Sequence, residues 1–184
     1  MIYITTDTHF NHTDKMHLYC GRPLDYEKRI FDEMSKLTER DVLIHLGDVC
    51  VGRDAEVHRL YIQPLKCKKW LLKGNHCVKT NTWYLNHGWD FVGNMLNLNI
   101  FNKRILFSHQ PLAKSTVENY DYNIVGHFHN HLPRLLRKEY VVPDEKERNV
   151  QDMSNLSLKT KVLSLEQLDY KLISVKELIS TFKD

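Results

Sequence analysis

The chain opens with MIYITTDTHFNH over residues 1–12, a stretch that joins a strand pattern to a polar cluster. The apolar and β-branched residues from Ile2 to Thr6 predict a short buried strand that ends on Asp7. His9 follows Asp7 after one intervening residue, so both side chains can leave a single turn toward the same ion. The stretch therefore predicts metal ligands at the end of a strand.

Four further segments repeat this arrangement of a short apolar run followed by polar side chains. The predicted strands are Val42 to Leu46, Lys69 to Lys73, Tyr122 to Val125, and Arg104 to Phe107, the last in a hairpin with Met95 to Ile100. The groups that follow them are Gly47-Asp48, Gly74-Asn75-His76, Ser108-His109 and Gly126-His127-Phe128-His129. Ligands of α/β sheets bind beyond the carboxyl ends of strands, so convergence of the five strand ends would make one site.

The remaining segments complete an α/β pattern, in which apolar runs alternate with amphipathic ones. Helices are predicted at Leu24 to Leu37, Ala55 to Leu65 and Val175 to Phe182. Leu158 to Leu172 is compatible with strands or with a helix. We expect a single domain over residues 1–184, with a surface excursion at about 134–160, where the sequence is rich in charge and poorly periodic.

Composition is ordinary except for eleven histidines, which is more than packing alone would call for. The net charge of +3 does not by itself indicate a nucleic-acid-binding surface. No signal-peptide pattern is visible, and no apolar run reaches the roughly 20 residues that span a bilayer. Four scattered cysteines could form disulfides, but reduced thiols in a cytoplasmic protein without membrane contact are the favoured interpretation.

The polar groups at the strand ends mix hard oxygen donors with imidazole nitrogens. This mixture suits first-row divalent metals such as manganese, iron, zinc or nickel, and it does not suit calcium or a thiolate-bound zinc. Glycine precedes Asp48, Asn75 and His127, where it permits sharp turns and a close approach of the backbone.

The ordered series D-x-H, G-D, G-N-H, a lone H and G-H-x-H resembles the calcineurin-like metallophosphoesterases. The DTHFNH segment at 7–12 is similar to a small bacterial and phage branch that opens with DTHFGH, and CGRPL at 20–24 is similar to its C-x-R-P-F element. The resemblance extends over residues 1 to about 131. It implies an α/β fold, namely a two-sheet β-sandwich flanked by helices.

Carried over position by position, the resemblance implies two divalent metal ions, with manganese first and iron, zinc or nickel as alternatives. The first ion would be held by Asp7, His9 and His129. The second would be held by Asn75, His109 and His127, with Asp48 as a bridge between the two. His76 would be the catalytic residue, as a general acid or transition-state stabiliser.

Several nearby residues have two interpretations. His12 could contact substrate or lie at the surface, and Arg22 could bind a phosphate or pair with a nearby acid. His45 is better explained as a core histidine. The family's usual acid after G-N-H is replaced by Cys77, which we expect to be a small buried hydrophobe, with a thiolate ligand as the alternative. The glycine of DTHFGH is replaced by Asn11.

We therefore expect an enzyme that hydrolyses a phosphoester with a metal-bound hydroxide. A phosphodiester of nucleotide type, such as a nucleotide or a nucleic-acid end, is preferred as the small phosphoester substrate. The alternatives are a phosphomonoesterase or protein phosphatase of the same fold, and a non-catalytic metal-binding interaction module. The sequence does not indicate an oligomeric state.

Overall fold

The computed structural model describes residues 1–129 and 157–182, and the strands and helices below belong to these residues. The strands are β1 Ile2–Thr5, β2 Val42–His45, β3 Lys68–Leu72, β4 Phe91–Gly93, β5 Met95–Ile100, β6 Lys103–Ser108, β7 Tyr122–Val125, β8 Thr160–Val162 and β9 Ile173–Ser174. The helices are α1 Thr13–Cys20, α2 Tyr26–Met34, α3 Asp54–Val57, α4 Asn81–Leu85, α5 Lys114–Val117 and α6 Val175–Ser180. A π-helical segment, His58–Ile62, continues α3.

The strands form two mixed sheets. The first sheet has the order β4-β3-β2-β1-β9, in which β9 is antiparallel to β1 and the other pairs are parallel. The second sheet has the order β5-β6-β7-β8, in which β5 and β6 form the predicted antiparallel hairpin and the other pairs are parallel. The expected α/β fold, with two sheets and flanking helices, is confirmed.

The first sheet contributes one face to each of two hydrophobic clusters, because successive strand residues point to opposite sides. Ile4 and Ile44 pack in a cluster with Phe107 and Ile124 of the second sheet, and this cluster forms the core between the sheets. Leu43 lies in the other cluster, together with residues of α2. Burying one such aliphatic side chain stabilises the fold by roughly 1.5–3 kcal/mol.

Strand register aligns the ends that carry the polar residues. Ile2 lies opposite Val42, and Val42 lies opposite Lys68, so β1, β2 and β3 run in parallel and finish at the same edge. Ile105 lies opposite Tyr122, which gives β6 and β7 the same relation in the second sheet. The five predicted strand ends therefore gather at one end of the sandwich.

The structure refines the predicted elements. Short pieces that lack a clear period, such as α4, β4 and β9, were not predicted, because two to five residues carry little periodic signal. Most of the predicted excursion at 134–160 lies outside the described residues, although Ser157 is buried and Thr160 begins β8. The ambiguous segment Leu158 to Leu172 contains one short strand and turns.

Two further expectations concerned the state of the cysteines and the presence of membrane-spanning helices. All four cysteines are buried and none is in a disulfide, as the sequence favoured. Within the ranges 1–129 and 157–182, no helix combines the length and the apolar character needed to cross a membrane.

Candidate metal centre

The turns that follow the strands share an unusual backbone conformation. Asp7, His9, Asp48, His127 and His129 all have positive φ angles, between 45° and 73°. Non-glycine residues rarely adopt this left-handed region, which costs on the order of 1–2 kcal/mol per residue. The conformation turns these side chains back from the strand ends toward a common space.

A first group of donors consists of Asp7, His9 and His129, whose ligand atoms lie within 4.8 Å of one another. Oδ1 of Asp7 is 3.9 Å from Nε2 of His9 and 3.7 Å from Nε2 of His129. Oδ1 of Asp7 and both ring nitrogens of His9 are buried without a hydrogen-bond partner among the described residues. Buried polar atoms normally have a hydrogen-bond partner, so these unpaired oxygen and nitrogen atoms fit a cation bound between them.

A second group consists of Asp48, His109 and His127, again with ligand atoms within 4.8 Å. Nδ1 of His109 donates to the carbonyl of Leu46 at 2.8 Å, so in the neutral ring Nε2 carries the lone pair. That nitrogen lies 3.0 Å from Oδ1 of Asn75, 3.1 Å from Nδ1 of His127 and 3.3 Å from Oδ2 of Asp48. The convergence of these lone pairs also fits a cation.

Asp48 lies between the two groups. Its Oδ2 is 3.3 Å from Nε2 of His109 and 3.8 Å from Nε2 of His9, while Oδ1 accepts a hydrogen bond from the His76 backbone N–H at 2.8 Å. The carboxylate is almost fully buried. One oxygen facing both groups, with the other held by the backbone, is the geometry that a bridging ligand needs.

Residues next to the donors hold them in place. Oδ2 of Asp7 accepts hydrogen bonds from the His127 backbone N–H at 2.9 Å and from the Thr6 hydroxyl. A Cβ at Gly126 would collide with Thr6 and Asp7, and a Cβ at Gly74 would collide with the Asp48 carboxylate. Thr6 was not among the predicted site residues, although its position directly before Asp7 was a usable signal.

Burial and neighbouring charges set the protonation of the histidines in the two donor groups. Burial and the nearby His129 and Arg22 hold the pKa of His9 well below its usual range, so its ring is neutral. Burial alone would lower the pKa of His109, but its hydrogen bond to Asp48 and the charge of Asp7 raise that pKa to about 9. Without a cation, His109 and Asp48 would share a proton, and a divalent ion would take the place of that proton.

His76 and His12 lie beside the first group. The ring of His76 is exposed, and its centroid is 5.2 Å from that of His9 in an edge-on arrangement. The ring of His12 is partly buried and lies 6.3 Å from that of His9. Burial and the neighbouring His76 lower the pKa of His12. The structure brings both residues to the site, and their roles toward a substrate stay predictions.

Arg22 does not fit the substrate-binding role that the sequence suggested for it. Its side chain is completely buried, and Nε donates to Oε1 of Glu166 at 2.7 Å. A guanidinium with no exposed surface has no access to a substrate phosphate, so the alternative of an ion pair with an acid is correct. Glu166 was not predicted, because it lies in a turn distant in sequence from every motif.

His45 is buried inside β2 and behaves as the expected core histidine. Its Nδ1 accepts from the Gly47 backbone N–H at 3.1 Å, and its Nε2 lies 3.0 Å from the Thr8 hydroxyl. Cys50 and Cys77 are buried in the hydrophobic core, and burial raises the pKa of both thiols. They are therefore protonated and apolar in character, as expected, and neither belongs to the donor groups of the described residues.

A cavity of about 320 Å³ opens next to the second donor group. Three side-chain amides, one hydroxyl and one lysine contribute polar groups to its walls. The lining residues are Lys73, Gly74, Asn75, Asn94, Ser108, His109, Gln110 and Leu112.

Comparison with known proteins gives one family and several relatives. The family model for calcineurin-like phosphoesterases matches residues 1–166. The uncharacterized protein MJ1445 of Methanocaldococcus jannaschii is 26% identical over 190 residues, which cover 100% of this chain and 97% of that protein. The crystal structure of AQ665, a protein of unknown function from Aquifex aeolicus, has a TM-score of 0.71 and 24% identity, with 99% of each chain covered. A structure described as a novel archaeal phosphodiesterase has a TM-score of 0.41 and 18% identity, with 68% of this chain and 71% of that chain covered.

Proposed function

Because this chain belongs to the calcineurin-like phosphoesterase family, we propose that it is a hydrolase that cleaves a phosphoester at a site for two divalent cations. Proteins of this family are generally phosphoesterases that bind divalent metals and act on small phosphoester substrates. The observation that carries the proposal for this chain is the position of Asp48, whose Oδ2 faces both donor groups.

Seven side chains would hold the cations. Asp7, His9 and His129 would bind the first cation, Asn75, His109 and His127 the second, and Asp48 both. Two such ions, when bound, would polarise a phosphoryl group and lower the pKa of a water molecule to about 7. Manganese is our first choice for both ions, with iron, zinc or nickel as alternatives, because carboxylate and amide oxygens are mixed here with imidazoles.

His76 would act on the leaving group. Its backbone N–H donates a hydrogen bond to Asp48, and its exposed ring lies edge-on beside His9 of the first donor group. A protonated imidazole at this position can donate its proton to the departing oxygen, and a general acid of this kind typically accelerates a reaction by about 10²–10⁴-fold. The buried Cys77 offers no carboxylate that could orient the ring. Among the described residues, the hydrogen bond from the His76 backbone N–H to Asp48 is the contact that holds this residue in place.

We propose that the substrate is a phosphodiester of nucleotide type, a nucleotide or a nucleic-acid end, that extends into the 320 Å³ cavity. This cavity borders Asn75 and His109, where the phosphoryl group would sit. The amides of Asn94 and Gln110 can hydrogen-bond to the edges of a base or to sugar hydroxyls, and Lys73 adds positive charge. A phosphomonoester with a small leaving group would occupy less of this cavity.

A non-catalytic metal-binding module is the second candidate. Such a module could use the donor set to bind metal ions, but it has no use for a general acid such as His76 beside them. The convergence of all seven donors and His76 on one edge favours the hydrolase.

Turnover of bis-p-nitrophenyl phosphate and p-nitrophenyl phosphate would test the proposal, measured with Mn²⁺, Ni²⁺ or Zn²⁺ added to metal-stripped protein. We expect activity to require the added metal and to favour the diester. Preference for the monoester would overturn the diester assignment. Two bound ions by elemental analysis, without turnover of either ester, of nucleotides or of RNA ends, would favour the binding module.

A further inference from the structure

We propose that Glu166 is a positioning residue for the first cation: when that cation is bound, its carboxylate accepts a hydrogen bond from the Nδ1–H of His129 and thereby aims Nε2 at the cation, while Arg22 holds Glu166 in place. The inference rests on the proposed two-cation site. It assigns a role to the C-terminal segment, which contributes none of the seven donors.

The buried ion pair between Arg22 and Glu166 stands directly behind His129. Oε1 of Glu166 lies 2.7 Å from Nε of Arg22 and 3.8 Å from Nδ1 of His129. The Arg22 side chain is completely buried and that of Glu166 is 8% exposed. The hydroxyl of Ser164 donates to the other Glu166 oxygen at 2.6 Å, so both carboxylate oxygens are occupied.

The two nitrogens of the His129 ring face different partners. Nε2 points toward Asp7, whose Oδ1 is 3.7 Å away, and a cation can bind there only if this nitrogen carries no proton. The proton must then reside on Nδ1, which needs an acceptor. In the structure, Nδ1 accepts a hydrogen bond from Nη2 of Arg22 at 3.2 Å, and Oε1 of Glu166 is 3.8 Å away. Arginine can only donate, so once the cation occupies Nε2 the protonated Nδ1 must turn from the guanidinium to Glu166, the neighbouring carboxylate among the described residues.

Arg22 also reaches the loop that carries the other two donors of the first group. Its Nη1 donates to the carbonyl of Thr8, between Asp7 and His9, at 3.3 Å. One guanidinium therefore connects the Asp7 loop, His129 and Glu166. Its positive charge would oppose a cation nearby, and the carboxylate of Glu166 offsets that charge.

The same place could itself be considered a metal site, because donor atoms of Cys20, His129 and Glu166 lie within 4.8 Å of one another. The guanidinium of Arg22 already pairs with Glu166 there, and burial with the Glu166 charge raises the pKa of the Cys20 thiol to about 12. Because Glu166 is already paired with Arg22 and the thiol is protonated, we infer that this place supports His129 and does not bind a third cation.

The test compares Glu166→Gln with wild type and with Asp169→Asn, a control that removes an exposed carboxylate from the same segment. Mn²⁺ titrations monitored by calorimetry and electron paramagnetic resonance would give the two dissociation constants. We expect Glu166→Gln to raise the dissociation constant of the first cation by about 10–100-fold, the usual effect of losing a carboxylate behind a ligand histidine. The dissociation constant of the second cation should not change. Asp169→Asn should leave both unchanged.

A spectroscopic readout separates positioning from a general structural role. In the zinc-loaded wild type, ¹⁵N spectra of histidine should place the His129 proton on Nδ1 with a hydrogen-bonded shift, and that shift should change in Glu166→Gln. Unchanged affinity and an unchanged shift in Glu166→Gln would overturn the proposal, as would equal losses at both cation sites.

Should Glu166→Gln fail to fold, Ser164→Ala serves in its place, because it removes only one hydrogen bond to the carboxylate. We expect roughly fivefold weaker binding of the first ion, and an unchanged constant would contradict the role of Glu166. If the wild-type protein binds two ions but turns over no substrate, the proposed hydrolase function is refuted, and the proposal for Glu166 is not. The affinity comparison would still test Glu166.

Discussion

At the scale of single residues, the position of Asp48 decides whether the two donor groups act together. Its Oδ2 lies within 4 Å of a histidine nitrogen from each group, and its Oδ1 is held by the His76 backbone. Removing this carboxylate leaves a first set in which Asp7 is the one carboxylate and a second set of neutral donors, each with less negative charge to offset a divalent ion.

We therefore expect Asp48→Ala to bind less than one metal ion per chain, compared with two in the wild type. Elemental analysis after desalting would measure this stoichiometry. The matched control is Asp32→Asn, which alters an exposed carboxylate of α2 and should keep both ions. Retention of two tightly bound ions by Asp48→Ala would contradict its bridging position.

The His76→Ala variant should separate binding from chemistry. Because the ring is exposed and lies outside both donor groups of the described residues, we expect both metal ions to remain while kcat falls by about 10²–10⁴-fold. Steady-state kinetics and elemental analysis of the same metal-loaded preparations would check this. His87→Ala, which alters a histidine stacked on Trp83, is the control. Wild-type kcat in His76→Ala would remove His76 from the mechanism.

Single residues differ in how well sequence predicts them. The seven expected donors come together because each follows a strand whose apolar pattern is easy to recognise. The partnership of Arg22 and Glu166 could not be predicted, since 144 positions separate them and no periodic pattern marks either residue. An arginine in a loop can meet a phosphate or an acid, and only the packing of the chain decides between them.

At the scale of elements, the strand ends work as pairs of closely packed turns. The turn after β2 and the turn after β3 touch, because Gly74 leaves no room for a side chain beside the Asp48 carboxylate. The turn after β7 meets that after β1 in the same way, at Gly126. Sequence predicted where these turns occur, but their contact depends on strand order, which the short apolar runs do not encode.

Gly74→Ala should therefore damage the site by displacing Asp48. We expect loss of metal-dependent activity by at least about 10²-fold, since an error of about 1 Å in a reacting group can have this effect. The comparison is Gly52→Ala, whose Cβ would meet nothing nearer than 3.8 Å and which should retain activity. Its positive φ of 70° predicts a lower free energy of unfolding, by about 1 kcal/mol. Urea denaturation and kinetics would measure both effects, and an active Gly74→Ala variant would contradict the packing argument.

At the scale of the whole molecule, the sandwich buries histidines that are not part of the site. His45 lies inside the first sheet, and His58 is enclosed by aromatic rings that include Trp83 and Tyr84. Burial lowers the pKa of His45 to about 3 and that of His58 to about 4. Both are neutral in the folded protein, whereas in the unfolded chain they titrate near pH 6.5.

The metal-free protein should consequently lose stability in mild acid. As the pH falls below about 6.5, His45 and His58 take up protons in the unfolded chain but not in the folded protein. The free energy of unfolding therefore decreases with falling pH until the pH reaches the pKa values of the folded state. Each histidine should contribute a loss of about 2 kcal/mol between pH 7.5 and pH 5. Urea denaturation at both values, in wild type and His58→Phe, would check this. We expect the variant to lose about 2 kcal/mol less, and an equal loss would contradict a buried neutral His58.

The left-handed turns of the site carry a consequence for how this fold tolerates heat. Five of the proposed ligands adopt a backbone that glycine would accept with far less steric conflict. A sequence selected only to resist melting would not keep aspartate and histidine there. Thermal stability and the proposed metal binding therefore compete at these positions, and a relative that binds no metal would be free to replace these residues with ones that relax the backbone.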